Sequence, residues 1–348
     1  MRPLVCFLIT AVPLLAQKPT ARTPAAPAQI TLKEVLTWLP ADTETVLGAN
    51  GPFRVLHTDH KFFQLTPDEL WLEVRNRPLW LLGHEEAGLG ELLKDETVAL
   101  ALEGSRHFRS PKGTGPMLYE GCAIAVFDRD VTSRQADFIK ENTPARVEEI
   151  EGTTVVEIEG GINKDTWHFL VAFPRPRVVL VATNADYLRE VLRRMRGGTG
   201  PMALPQSLPE WKYVQTSSPL WGMRHFNKPS EGQEDDPSSP FGASGRLPGR
   251  FWDDGMSGPD DSAIGMAFYF EPFAKKKVSI VYLSKGNARE VMKRLGHLSE
   301  VAGAPGWTGP ITELAPGVAT SSVSVRIPEE AGLLWFFLSG LLGHATYI

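Results

Sequence analysis

The chain has 348 residues, of which 42% are hydrophobic and 22% are charged, so wholesale intrinsic disorder is excluded. This length favours two domains rather than one small domain. With 36 basic and 41 acidic residues the formal net charge is -5, and no block of lysine or arginine stands out, which disfavours nucleic-acid binding.

The first 16 residues have the pattern of a secretory signal peptide. Arg2 precedes an apolar run from residue 4 to residue 15, and Ala16 stands before the expected cleavage point. An apolar run of about 12 residues is too short to cross a bilayer. We therefore expect an extracytoplasmic protein, periplasmic or secreted, in which residues 17–29 form a Pro/Ala-rich tether.

The cysteine content agrees with this interpretation. Cleavage after Ala16 removes Cys6 and leaves Cys122 as the only thiol, so the mature chain cannot form an internal disulfide. Cys122 lies in an apolar stretch, which favours a buried, inert thiol over a nucleophile. The chain also lacks the Asn-x-Ser/Thr acceptor of N-glycosylation, which favours export from a bacterium.

Structure is expected to begin with a helix. Thr31 and Glu34 form a capping box, apolar residues follow at helical spacing, and Pro40 ends the helix. After it the chain is dominated by strands, which we predict at 45–50, 97–103, 119–127, 145–150, 153–159, 166–173, 177–183, 219–226, 262–270, 277–284, 311–314 and 318–327.

Several of these strands are joined by turns too short for anything but antiparallel pairing. The fold class is therefore predicted to be α+β, with mainly antiparallel sheet and helices packed on one face. An internal repeat suggests two related modules, because residues 189–195 recur as residues 289–295, each after a strand and an asparagine cap. We place the modules at residues 30–205 and 206–348.

Two segments depart from this pattern. Residues 230–262 are rich in Gly, Ser, Pro and acidic side chains and are expected to form a mobile excursion rather than a Ca²⁺ loop. Residues 331–348 are apolar nearly all round, which indicates a helix buried in the core or one in contact with the membrane.

Few residues carry a chemical signature. His57 and His60 are the densest candidate metal ligands, but the flanking sequence suggests a strand or loop, and no cysteine accompanies them. No G-x-S-x-G elbow, P-loop or C-x-x-C motif is present. We expect no resident cofactor and no catalytic set.

One motif resembles an enzyme family. An apolar strand ending in Asp128 and Asp130 is similar to the first motif of haloacid-dehalogenase-type phosphohydrolases. The resemblance implies that Asp128 attacks phosphorus, that Asp130 is an acid/base with Mg²⁺, and that Lys228 and Asp260 complete the site. That family requires parallel strands, whereas the turns predict hairpins, so the alternative interpretation is that both aspartates end a strand and cap the helix near residues 133–140.

A second resemblance is structural. The stretch at residues 39–50, which opens with Leu-Pro-Ala-Asp-Thr, and the segment from residue 148 through residue 191 are similar to exported bacterial proteins of unknown function that carry an L-P-A-D-T strand motif. This resemblance implies no catalytic residue.

The sequence thus favours an exported, non-enzymatic protein that binds or scaffolds a protein or other envelope partner. Two alternatives are the Mg²⁺-dependent phosphohydrolase and a surface protein held at the membrane by its C-terminal apolar helix.

Overall fold

The structure is a computed structural model that describes residues 30–54, 68, 89–106, 120–142, 146–160, 167–198, 200–225, 263–272, 275–290, 292–293, 306–327, 330 and 334. The predicted signal peptide, the tether and the excursion at 230–262 lie outside these ranges. So do His57, His60, Lys228 and Asp260.

In the described ranges the helices are few and short. They are α1 (Leu32–Trp38), α2 (Leu89–Leu93), α3 (Arg134–Glu141) and α4 (Ala185–Met195), together with a 3₁₀ helix at Pro209–Tyr213. The Thr31 half of the predicted capping box is present, because the Thr31 hydroxyl accepts a hydrogen bond from the Glu34 amide at 3.3 Å, whereas the Glu34 carboxylate pairs with Arg175.

The described part of the chain contains twelve strands. They are β1 (Thr45–Phe53), β2 (Val98–Arg106), β3 (Glu120–Phe127), β4 (Arg146–Ile150), β5 (Thr153–Gly160), β6 (Trp167–Arg175), β7 (Val178–Ala182), β8 (Leu220–His225), β9 (Ala263–Phe270), β10 (Lys277–Ser284), β11 (Thr312–Ala315) and β12 (Val318–Ser324).

All twelve strands belong to one sheet, in the order β11-β12-β10-β9-β8-β1-β2-β3-β7-β6-β5-β4. Each neighbouring pair is antiparallel, so the predicted antiparallel pairing is confirmed. The described part of the chain is mainly β, with some helices. Strand β1 pairs with β8, so the stretches before and after residue 205 contribute to the same sheet.

The tight turns have the backbone angles that their residues allow. Glu151 and Gly152 connect β4 to β5 with φ values of 49° and 57°, as a two-residue hairpin turn of type I′ requires. Gly317, between β11 and β12, has a φ of 75°, which suits the second central position of a type II turn.

Apolar side chains cover both faces of the central strands. One face joins the main core through residues such as Leu47, Val181 and Phe268, to which α2 and α3 contribute Leu93 and Phe138.

The opposite face lies under α1 and α4. Leu39, just after α1, and Tyr187 of α4 pack so closely over Gly104 of β2 that a Cβ there would lie 2.7 Å from a Leu39 methyl carbon. The expectation that helices pack on one face is therefore wrong for the described helices. The physical reason is that β3 and β7 are buried on both sides, so each face needs its own cover.

Within the described ranges, no helix is long and apolar enough to cross a membrane. Leu334, from the apolar C-terminal segment, is fully buried and belongs to the main core. The Glu330 carboxylate, which is also buried, accepts a hydrogen bond from the Arg326 amide at 2.6 Å. These contacts connect the start of that segment to the end of the sheet.

The thiol of Cys122 is expected to be unreactive in the folded protein. It is fully buried in β3, and burial raises its pKa, with a further contribution from the negative charge of Glu103. In a Cys6→Ser chain, Ellman's reagent should detect no thiol in buffer and one thiol per chain in denaturant. Rapid modification under native conditions would contradict the burial of this strand.

Candidate binding site at the sheet edge

A cleft of about 440 Å³ lies at the edge of the sheet formed by β4, β5 and β6, beside the first turn of α4. We call it the edge cleft. Its lining is mostly charged or polar, with Ile150, Leu170 and Ala185 as apolar members, and includes Arg146, Glu148, Glu149, Glu151, Glu157, His168, Thr183, Asn184 and Arg189.

Strand register brings the charged side chains together. Arg146 on β4 is directly opposite Glu157 on β5, and Glu157 is directly opposite Leu170 on β6. Because side chains alternate between faces, Glu148 and His168, each two residues along its strand from one of these, lie on the same face. Three neighbouring strands therefore present their polar side chains to one surface.

Glu157 is the centre of this group. Its carboxylate lies 3.3 Å from Nη1 of Arg146 and 3.0 Å from Nδ1 of His168, and its side chain is only 17% exposed. Arg146 also reaches Glu148 at 3.4 Å. The His168 Nδ1 is buried and its approach to Glu157 is not aligned as a hydrogen bond, so this nitrogen has an unused hydrogen-bonding capacity.

The first turn of α4 closes the other side of the cleft. The Asn184 side-chain oxygen accepts hydrogen bonds from the Asp186 and Tyr187 amides, both at 2.9 Å, which confirms the predicted asparagine cap. Arg189 pairs with Asp186. The helix start is therefore already capped by the protein's own groups.

The charge balance of the edge cleft is negative. Four glutamates line it against two arginines, and both arginines are already paired with carboxylates. A low-dielectric cleft wall strengthens the field of such an excess. The arrangement favours a positively charged group over an anion.

Asp128 and Asp130 lie elsewhere, in the turn after β3. Asp130 Oδ1 accepts hydrogen bonds from the Thr132 amide at 2.8 Å and the Thr132 hydroxyl at 2.5 Å, which lowers the pKa of Asp130. Asp130 therefore stabilises the turn rather than capping the helix as the alternative interpretation expected, since the N-cap of α3 is Ser133 and no side chain caps it. Asp128 is exposed, and β3 is antiparallel to both of its neighbours, β2 and β7.

The same corner contains an ion-pair cluster. The buried Glu96 carboxylate accepts hydrogen bonds from Arg129 and from Arg134, the latter at 3.1 Å. Burial raises the pKa of Glu96, but the hydrogen bonds and charges of the two arginines outweigh burial, so the pKa lies below its ordinary value. This cluster fastens the start of α3 to the turn before β2.

No metal centre is evident in the described part of the chain, where no three His, Cys, Asp or Glu side chains are grouped as metal ligands. His57, His60, Lys228 and Asp260 lie outside that part of the chain.

The sequence reasoning missed the edge cleft, although the signal for it was present. A two-residue turn at 151–152 pairs residue 150 with residue 153, and counting outwards pairs Arg146 with Glu157. His168 lies on β6, which follows β5 after a longer connection. The pairing of His168 therefore could not be obtained by counting outwards from a tight turn.

Comparison of the chain with protein-family models, with curated proteins and with solved structures gives no significant match.

Proposed function

We propose that this chain is an exported bacterial protein, periplasmic or secreted, which acts by binding rather than by catalysis. Its partner is a protein or another envelope component that presents a basic group to the edge cleft. The proposed export rests on the signal-peptide pattern of residues 1–16. The proposed resemblance to exported proteins with the L-P-A-D-T motif is compatible with such a role.

The observation that supports binding is the excess of carboxylates in the edge cleft. Glu148, Glu149, Glu151 and Glu157 surround a concave surface with an apolar floor at Ile150 and Leu170. Ligand sites combine this kind of concavity with a few convergent polar groups. A lysine or arginine side chain fits the arrangement, because its methylenes can cover the floor while its charge meets the carboxylates.

The finer architecture is also a proposal. We infer an α+β protein of two related modules from the recurrence of one unit, a strand hairpin followed by an asparagine-capped helix. Support comes from the cap at Asn184 after β6–β7 and from Asn287, whose side chain accepts a hydrogen bond from the Glu290 amide at 3.3 Å after β9–β10.

A calorimetric titration tests the proposed function. We expect tetralysine to bind the full chain and tetraglutamate not to bind, with the tetralysine affinity falling as salt is added. The variant Glu148→Gln/Glu157→Gln should weaken tetralysine binding at least tenfold, about 1.4 kcal/mol.

Glu141→Gln/Glu313→Gln is the matched control, since it removes the same number of charges at two exposed glutamates, one at the end of α3 and one on β11 at the opposite edge of the sheet. Equal losses in the two variants would show that binding depends on net charge alone and would reject the edge cleft. Mg²⁺-dependent phosphatase activity that disappears in Asp128→Asn would reject a non-enzymatic function.

A further inference from the structure

A second pair of histidine and glutamate lies far from the edge cleft, at the middle of the sheet. His225 ends β8, and its Nδ1 is 2.8 Å from Oε1 of Glu210, which belongs to the 3₁₀ helix. The Glu210 side chain is fully buried and its other oxygen, Oε2, has no hydrogen-bond partner. The pair thus joins a short helix to the sheet through one charged contact.

The sheet is shaped to receive this carboxylate. Gly265 on β9 is directly opposite His225, and a Cβ at that glycine would lie 1.9 Å from Glu210 Oε1. Any larger residue at Gly265 would therefore displace the carboxylate. The Trp211 ring, next to Glu210 in the chain, packs against the Trp221 ring of β8 with centroids 6.1 Å apart.

A buried carboxylate with one unsatisfied oxygen is costly unless a positive charge accompanies it. His225 supplies that charge only when it is protonated. Since the His225 side chain is 27% exposed, it can exchange its proton with solvent without unfolding of the sheet.

We propose that Glu210 and His225 form a proton-operated latch, which holds the 3₁₀ helix against β8 and β9 while His225 is protonated and releases it when His225 loses that proton. This inference does not depend on the proposed function, because the latch and the edge cleft share no residue.

The electrostatic surroundings agree with the latch. The hydrogen bond to Glu210 raises the pKa of His225, burial opposes this rise, and the negative charges of Glu210 and Glu44 add to it. Among the described residues, the other charged neighbours face elsewhere. Arg224 points to the opposite face of β8 by strand alternation, and Lys212 of the 3₁₀ helix is exposed.

The direction of the pH effect follows from linkage. Because the folded-state pKa of His225 lies above its unfolded-state value, the stabilisation is complete below the unfolded-state pKa. It is lost as the pH rises through the folded-state pKa. Opening of the 3₁₀ helix should therefore increase on the alkaline side.

The indole N–H of Trp211 reports on this opening, since it donates a hydrogen bond to the Leu204 carbonyl at 2.9 Å. Its hydrogen exchange would be measured by NMR between pH 6 and pH 9 and divided by the intrinsic exchange rate at each pH. We expect the opening constant of the full chain to rise roughly threefold to tenfold across this range. The midpoint should coincide with the His225 titration followed in the same spectra.

Glu210→Gln should abolish the rise, whereas the control His168→Gln, which changes a histidine on β6 away from the 3₁₀ helix, should retain it. The latch is refuted if the opening constant of the unmodified chain does not change with pH, or if its midpoint differs from the His225 titration. It is equally refuted if Glu210→Gln shows the same rise. Should Glu210→Gln fail to fold, the agreement or disagreement of the two midpoints still decides the question.

Discussion

Replacing Gly48 by alanine should cost about 3 kcal/mol of unfolding free energy, because the added methyl has no space. Gly48 lies in β1 directly opposite Trp221 of β8, and a Cβ would lie 2.1 Å from Cζ2 of that indole. The indole is fully buried and cannot swing into solvent. Urea denaturation of Gly48→Ala beside the unmodified chain measures the loss.

A double-mutant cycle tests whether the indole is the cause. In a Trp221→Phe background, which shortens the ring that meets the new methyl, the cost of Gly48→Ala should fall by at least roughly 1 kcal/mol. If Gly48→Ala costs the same unfolding free energy in both backgrounds, the indole does not cover Gly48. The contact between β1 and β8 would then be packed differently from the structure.

Leu334→Ala should destabilise the protein by about 2–4 kcal/mol, since a fully buried leucine of the main core loses its Cγ methine and two methyl groups and leaves a cavity. Leu314→Ala on β11 is the control, because that side chain is 49% exposed, and its cost should be below about 0.5 kcal/mol.

The same experiment bears on the membrane alternative. Suppose that the segment from residue 331 onwards served only to hold the protein at a membrane. In detergent-free buffer, Leu334→Ala would then lower the unfolding free energy no more than Leu314→Ala does. The two variants, measured side by side, therefore separate a core position from an anchoring position.

Local signals were enough to predict all twelve strands, with ends within a few residues. The turn at Glu151 and Gly152 and the turn at Gly317 mark hairpins whose backbone angles depend on the turn residues themselves. Alternation or continuous apolar stretches then define the strands on either side. These features are local in sequence, so one amino-acid sequence contains the information needed to predict the strands and their turns.

The joining of strands that are distant in sequence was beyond such reasoning. β1 pairs with both β2 and β8, although β8 begins at residue 220, and no turn specifies that contact. The cover on the second face of the sheet was missed for the same reason. Gly104 accepts Leu39 and Tyr187 against its backbone, a contact that becomes evident only when both helices are placed.

The candidate site also combines contacts that the local sequence predicts with contacts that it does not. The Arg146–Glu157 pair follows from counting along one hairpin, whereas His168 and Asn184 enter the edge cleft through the packing of β6 and α4. Conversely, Asp128 and Asp130 formed the most conspicuous motif of the sequence, yet the structure engages Asp130 in a turn.

The most direct test of binding through the edge cleft is a map of NMR amide shifts on adding tetralysine to the full chain. We predict that the perturbed amides cluster in β4, at Glu157 and His168, and in the first turn of α4, and that Glu148→Gln/Glu157→Gln removes them. Perturbations spread over acidic residues of the whole surface, or concentrated at another site, would contradict the proposal.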